Sequence, residues 1–234
     1  MSRFQLHTSA ISLMLVLAVS APNGQTDLAA GRVTGRVKLT TKIPGKPLPS
    51  TAYPRRTIGD HHPSALPEIR NVVVYIKDAL HKGPLPTSRN ELLQEHETFI
   101  PRTLAITRGS VVSFPNGDPF FHNVFSLSRA GNFNLGRYQR GQTREREFTK
   151  AGIVKVYCDI HSHMSATILV FDHPYFTIPD LEGAFELPAL PTGEYTIVGW
   201  HERVGERSMR IRVEAERPTS VELVVPVPVG DEYE

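Results

Sequence analysis

The chain has 234 residues, a formal charge of +2, 40% hydrophobic and 21% charged content, nineteen prolines and seventeen glycines. That is ordinary globular composition, long enough for one large domain or two small ones, and rich in the residues that make turns between strands. A nearly neutral chain is poorly suited to gripping phosphates, which excludes nucleic-acid binding as the leading reading.

In chain order, the first segment reads as an export signal over residues 1–25. Arg3 supplies the positive end, and Ile11 to Ala21 form an apolar run closed by Pro22-Asn23-Gly24. The run is shorter than the roughly 20 apolar residues a membrane-spanning helix needs, so no span is expected once the signal is cleaved, and the mature protein is expected in the periplasm. Gly31 to Leu39 alternates Val33, Val37 and Leu39 with polar residues, as a half-buried strand does. Residues 42–69 are Pro-rich, contain His61 and His62, and read as an irregular connection in which the two histidines are plain loop. Asn71 to Ile76 is a β-branched strand run. Over 86–97, Ser88 followed three residues later by Glu91 predicts a short capped helical turn.

From Thr98 onward short β-patterned runs follow one another closely: Thr98–Ile106, Ser110–Phe114, His122–Leu127, Glu145–Thr149, Val154–Cys158 and Thr167–Phe171. A second group comprises Ala184–Leu187, Tyr195–Trp200, Met209–Val213 and Ser220–Val225, with turns at Glu182-Gly183 and Pro191-Thr192-Gly193. The fold class is all-β, with sandwiches or small barrels.

The single cysteine, Cys158, cannot form an intramolecular disulfide, and an exported chain normally uses cysteines in pairs. Alone on an apolar strand it would be a buried small hydrophobe. Its neighbours change that reading. Cys158-Asp159-Ile160-His161-Ser162-His163-Met164 puts a thiolate, imidazoles and a thioether within seven residues, and His122 opens a strand 36 residues upstream. Two His and a Cys with a weak axial Met form the donor set of a type 1, electron-transfer copper centre. Thiolate and thioether favour Cu(I) and imidazoles accommodate Cu(II), so one electron can come and go with little rearrangement. Val154, Val156 and Cys158 share a strand face, and a tight loop can return His161 and Met164 to the same point. Zinc is a poorer match, because thioether is a weak donor for it. Thiol catalysis lacks an orienting acid or amide in a recognisable context.

These residues carry a resemblance. Phe99-Ile100-Pro101, the run Thr107 to Asn116, His122-Asn123-Val124-Phe125-Ser126 and the CxxHxxM loop resemble a cupredoxin domain, with the loop gaps of amicyanin. The resemblance covers about residues 71–172 and implies a Greek-key sandwich holding one copper through His122, Cys158, His161 and Met164. It also implies that Asn123 hydrogen-bonds across to the cysteine-bearing loop as an outer support. His163, between two ligands, departs from the pattern. The ends of the chain, Gly31 to Val37 with Asp180 to Pro188 and Pro191 to Ile197, resemble a carboxypeptidase-regulatory or transthyretin-like sandwich. The whole arrangement resembles exported proteins labelled methylamine-utilisation-like.

The expected organisation is then a signal (1–25), N-terminal strands belonging to either sandwich (31–80), a cupredoxin copper domain (81–172) and a smaller β-sandwich (174–228). The expected role is a non-enzymatic carrier of single electrons, serving a redox protein such as a c-type cytochrome or a periplasmic dehydrogenase. A copper-holding or delivery protein without redox cycling is the alternative. Six basic and two acidic residues between Arg129 and Lys150 give a local +4 that would steer an acidic partner. Electrons are expected to leave through the edge of His161, with Ile160, Phe120 and Phe121 around it.

Overall fold

The computed structural model describes residues 30–40 and 67–225. The segment read as an export signal, His61 and His62, and the chain after Val225 lie outside the described residues. Among those described there is no α-helix, only a 3-10 turn at Glu68–Asn71, and no helix long and apolar enough to cross a membrane. The all-β reading stands.

Two sandwiches share the chain. The first packs a five-stranded sheet against a three-stranded one. The larger sheet runs, in spatial order, Gly131–Tyr138, His122–Ser128, Gly152–Tyr157, Ser165–Phe171 and Thr103–Thr107; the smaller runs Thr143–Glu147, Val111–Pro115 and Arg89–Glu91. Inward-facing Val112 and Phe114 on one side meet Val124, Val154, Val156 and Ile168 on the other. In the second sandwich, Phe176–Thr177, Val72–Lys77, Gly193–His201 and Gly205–Val213 form one sheet; Ala184–Glu186, Val33–Leu39 and Thr219–Val225 form the other. Both early strands, Val33–Leu39 and Val72–Lys77, pair with strands from the end of the chain. The first sandwich is therefore inserted between the two halves of the second.

The run Val72 to Ile76 is apolar without alternation, and the structure supplies the reason. Val72, Val74 and Ile76 face the core of the second sandwich, while Val73 and Tyr75 face a seam filled by Leu169, Val198 and Trp200. A strand covered on both sides has no solvent face to keep polar. Lys155 crosses this seam, its Nζ 2.8 Å from Glu202 and 5.8 Å from the Trp200 ring.

The helical turn expected over 86–97 is replaced by strands. Arg89–Glu91 pairs in parallel with Val111–Ser113, and Leu93–Glu95 forms a hairpin with Thr98–Ile100. The Ser88 backbone N–H donates to the Ser110 hydroxyl (3.1 Å), so the chain is tied to a sheet edge and the local capping signal is overridden. The expected strand Thr98–Ile106 is two strands, Thr98–Ile100 and Thr103–Thr107. Gly131–Tyr138 is a strand with no strong sequence signal. Its outer positions are Asn132 and Asn134, and its pairing shifts register between Asn134 and Arg137 at a bulge.

Candidate metal centre

The centre lies at one end of the first sandwich, where the strand His122–Ser128 begins and the strand Gly152–Tyr157 ends. Cys158 follows that strand directly, with its side chain turned into the core beside Val154 and Val156. The loop then closes on itself: Met164 N–H donates to the His161 carbonyl at 2.9 Å, and Cys158 N–H reaches the Met164 carbonyl at 3.4 Å. Seven residues therefore return to their starting point before the strand Ser165–Phe171 leaves.

His122 comes from the other side of the site, on a loop shaped by Asn116. The buried Asn116 amide donates to the carbonyls of Phe120 (2.8 Å) and Tyr138 (3.1 Å), and its Oδ1 accepts from Asp118 N–H at 2.9 Å. The turn Asn116-Gly117-Asp118-Pro119 is thus a rigid entry to the His122 strand.

Three donor atoms converge. Cys158 Sγ stands 3.7 Å from His122 Nδ1 and 4.0 Å from His161 Nδ1, and the two Nδ1 atoms are 3.1 Å apart. A first-row ion binds nitrogen at about 2.0 Å and thiolate sulfur at about 2.3 Å, so one ion can touch any two of these donors only if they lie within about 4.3 Å. All three edges meet that limit. The residues are nearly sealed from solvent, at 0% exposure for His122, 3% for Cys158, 7% for His161 and 1% for Met164. Met164 is buried in the same cluster as Cys158. Two imidazole nitrogens and a sulfur brought this close in a buried pocket offer one ion three ligand atoms. They suit a soft or borderline metal ion.

The electrostatics favour the ligating forms of Cys158 and His161 and the protonated form of His122. Burial pushes the Cys158 thiol up, but the His122 imidazole and the backbone N–H groups of Asn123, His161 and Ile160 outweigh it and hold the thiol below its ordinary range. Burial pulls His122 down, yet Asp118 and the Cys158 sulfur together raise it to about 9. His161 is lowered, chiefly by burial, with His122 and His163 adding to the effect and Glu97 opposing it. A metal ion would replace a proton at His122 Nδ1, so binding and protonation compete there.

His122 Nε2–H donates to Asp118 Oδ2 at 2.8 Å, and both groups are buried. A carboxylate can only accept, so this bond aims the other ring nitrogen, Nδ1, at the site. Asp118 is the functional residue that sequence reasoning passed over. It lies in a turn motif, and only the fold shows that its side chain points back to the histidine four residues on. Asn123 reaches the cysteine-bearing loop through its main chain. Its backbone N–H reaches the Cys158 sulfur, while its buried side-chain Oδ1 has no hydrogen-bond partner. The cross-loop support is made by its main chain.

Phe120 packs against both imidazoles, its ring centroid 5.4 Å from His122 and 5.1 Å from His161. His163 Nε2 is 3.2 Å from Glu97 Oε2, and His161 Nε2 is 4.0 Å from Glu97 Oε1. What covers His161 belongs to the first sandwich itself, not to the second. Phe121 is 52% exposed beside the site, whereas Ile160 packs partly against the core. Beside them, Arg137 meets Asp159 of the metal loop at 3.5 Å. Arg144 and Arg146 lie over the rings of Tyr138 and Phe133 along the same edge.

No family model matches this chain, and no curated protein matches it significantly. Among solved structures it is similar to a copper-containing nitrite reductase from Thermus scotoductus (27% identity, TM-score 0.33), over 40% of this chain and 24% of the reductase. The chain therefore spans about a quarter of that enzyme. It is also similar to a purple cupredoxin from Nitrosopumilus maritimus (24% identity, TM-score 0.32; 35% of this chain, 98% of that one). Amicyanin from Paracoccus versutus is a further likeness (21% identity, TM-score 0.33; 37% and 85%).

Proposed function

We propose that this chain is a cupredoxin-type copper protein that passes single electrons between redox partners. The observation that carries the reading is the convergence of His122 Nδ1, Cys158 Sγ and His161 Nδ1 within 4.0 Å of one another in a sealed pocket. Copper bound there would supply one-electron chemistry. The chain would hold it through those three atoms, with the buried Met164 thioether as the weak fourth donor.

The protein's own part is to keep the donors still. Cys158 is set by a core strand, His122 by Asp118 and His161 by a loop closed on itself. Ligands that move little between oxidation states lower the cost of changing charge. Buried, braced donors also favour a retained ion over delivery, which calls for exposed and exchangeable ligands. Phe120 and Glu97 stand over the outer side of the imidazoles, which favours electron transfer through the protein over substrate binding at the metal. The role proposed is therefore a carrier, not an enzyme.

Two further parts of the reading rest on sequence. The apolar run near the N-terminus supports export to the periplasm. The basic edge from Arg129 to Lys150, which reaches the metal loop through Arg137 and Asp159, supports an acidic redox partner such as a c-type cytochrome or a dehydrogenase.

The test is the visible and electron paramagnetic resonance spectrum of the mature protein titrated with Cu(II). An intense thiolate-to-copper band with narrow parallel hyperfine splitting is expected. Weak colour and an ordinary tetragonal spectrum would replace the carrier reading with copper holding or delivery.

A further inference from the structure

The hairpin that joins Leu93–Glu95 to Thr98–Ile100 turns at His96 and Glu97, outside the ligand set. Both residues have positive φ, +54° and +53°. Two consecutive left-handed residues at a two-residue hairpin tip define the turn that Asn-Gly makes most easily. This chain instead places an imidazole and a long carboxylate there, so the turn alone does not account for the residues it uses.

The two N–H groups of this tip and the Glu97 side chain are directed at the surroundings of the metal centre. His96 N–H donates to Asp118 Oδ1 at 2.6 Å and Glu97 N–H to Asp118 Oδ2 at 2.9 Å. The same Asp118 Oδ2 accepts from His122 Nε2 at 2.8 Å. Glu97 then extends its carboxylate over the metal loop, with Oε2 3.2 Å from His163 Nε2 and Oε1 4.0 Å from His161 Nε2. One hairpin tip is thereby linked to both imidazole ligands, to His122 through Asp118 and to His161 through Glu97 and His163. The extra histidine in the metal loop, which the donor set does not use, has a partner in this arrangement.

We infer that Glu97 is a positioning residue: with Asp118 it makes the 96–97 hairpin tip a clamp that holds the two imidazole ligands in place from outside. The inference rests on the proposed copper site and deepens it. In such a clamp the hairpin accepts an unfavourable backbone so that its N–H groups hold the His122 entry loop through Asp118 while the Glu97 carboxylate reaches the Cys158–Met164 loop.

The experiment compares wild type with Glu97→Gly and Asp118→Asn. The readouts are thermal unfolding of the metal-free protein, copper loss to a chelator, and the hyperfine splitting of the Cu(II) form. Glycine suits a left-handed turn, so Glu97→Gly is expected to leave the metal-free protein as stable as wild type or more so. Its copper is expected to leave about tenfold faster, with a shifted hyperfine splitting. Loss of an outer partner costs metal sites about 10- to 100-fold in affinity, and Asp118→Asn is expected in that range. A Glu97→Gly protein with wild-type copper loss and spectrum overturns the clamp alone. A wild type that binds no copper overturns the site reading and the clamp with it.

Discussion

The two sandwiches are built by the same rule and end in different chemistry. Each encloses an apolar core from alternating strands, Val112, Phe114, Val154 and Ile168 in one and Val37, Val74, Ile197 and Leu223 in the other. In the first, one end of that core is occupied by buried polar groups: Asn116, Asp118, His122, Asn123, His161 and the Cys158 sulfur. The second keeps its buried polar groups, such as Asn71 and His201, at its margin, where they find protein partners. Asn71 bonds Glu68 at 2.8 Å, and His201 lies 3.4 Å from the same carboxylate. In both sandwiches such groups find protein partners, Asn116 and Asp118 in the first as much as Asn71 and His201 in the second; what sets the first apart is that two imidazole nitrogens and a thiol sulfur are brought face to face, a donor set suited to a metal ion.

The sharpest way to break this comparison is Cys158→Ser. Without the thiolate the intense visible band is expected to vanish altogether and copper binding to fall, while the metal-free fold survives. An unchanged band would remove Cys158 from the ligand set. Next in size is Ile197→Ala, in the core of the second sandwich. It should cost about 2–5 kcal/mol of stability in denaturant unfolding. The visible band per folded molecule should not change, and a bleached spectrum would show that the two sandwiches are not separate in function.

A smaller effect is expected at the basic edge. Reversing Arg140 and Arg144 to Glu should slow electron transfer with an acidic cytochrome by about tenfold at low ionic strength, and the difference should disappear in high salt. Equal rates at low salt would move the partner's contact elsewhere. The smallest effect concerns the polar margin of the second sandwich. Glu68 is held below the ordinary carboxylate range, first by its bond to His201, against burial, with Asn71 assisting. A depressed folded value means that its stabilisation is complete above the ordinary carboxylate pKa and is lost as pH falls through the folded one. Wild type should therefore exceed Glu68→Gln in stability at neutral pH, and the two unfolding curves should converge in acid. Parallel curves at every pH would leave Glu68 without a stabilising role at that margin.

Much of the site is legible in the sequence. The order Cys158, His161, Met164 with His122 upstream points to the cluster the structure shows at His122, Cys158 and His161, because the loop is short enough to return its own residues to one place. Asp118 and Glu97 are not legible there. The first looks like turn chemistry, and the second lies in a stretch with a plausible helix cap. Their roles depend on a hairpin and an entry loop meeting in space. The strand Gly131–Tyr138 is hidden for a related reason, since its outward asparagines and bulge erase the alternation that marks a strand.

By itself, the sequence determined the fold class, the strands with clean alternation and the candidate donors His122, Cys158 and His161 that the fold brings together. Those are properties of residue type and local period. Only the tertiary structure decided that the early strands join the last ones, that Val72 to Ile76 is covered on both faces, and that two carboxylates stand behind the imidazoles. Each of these depends on contacts between segments far apart in the chain, which the pattern within any one segment does not encode.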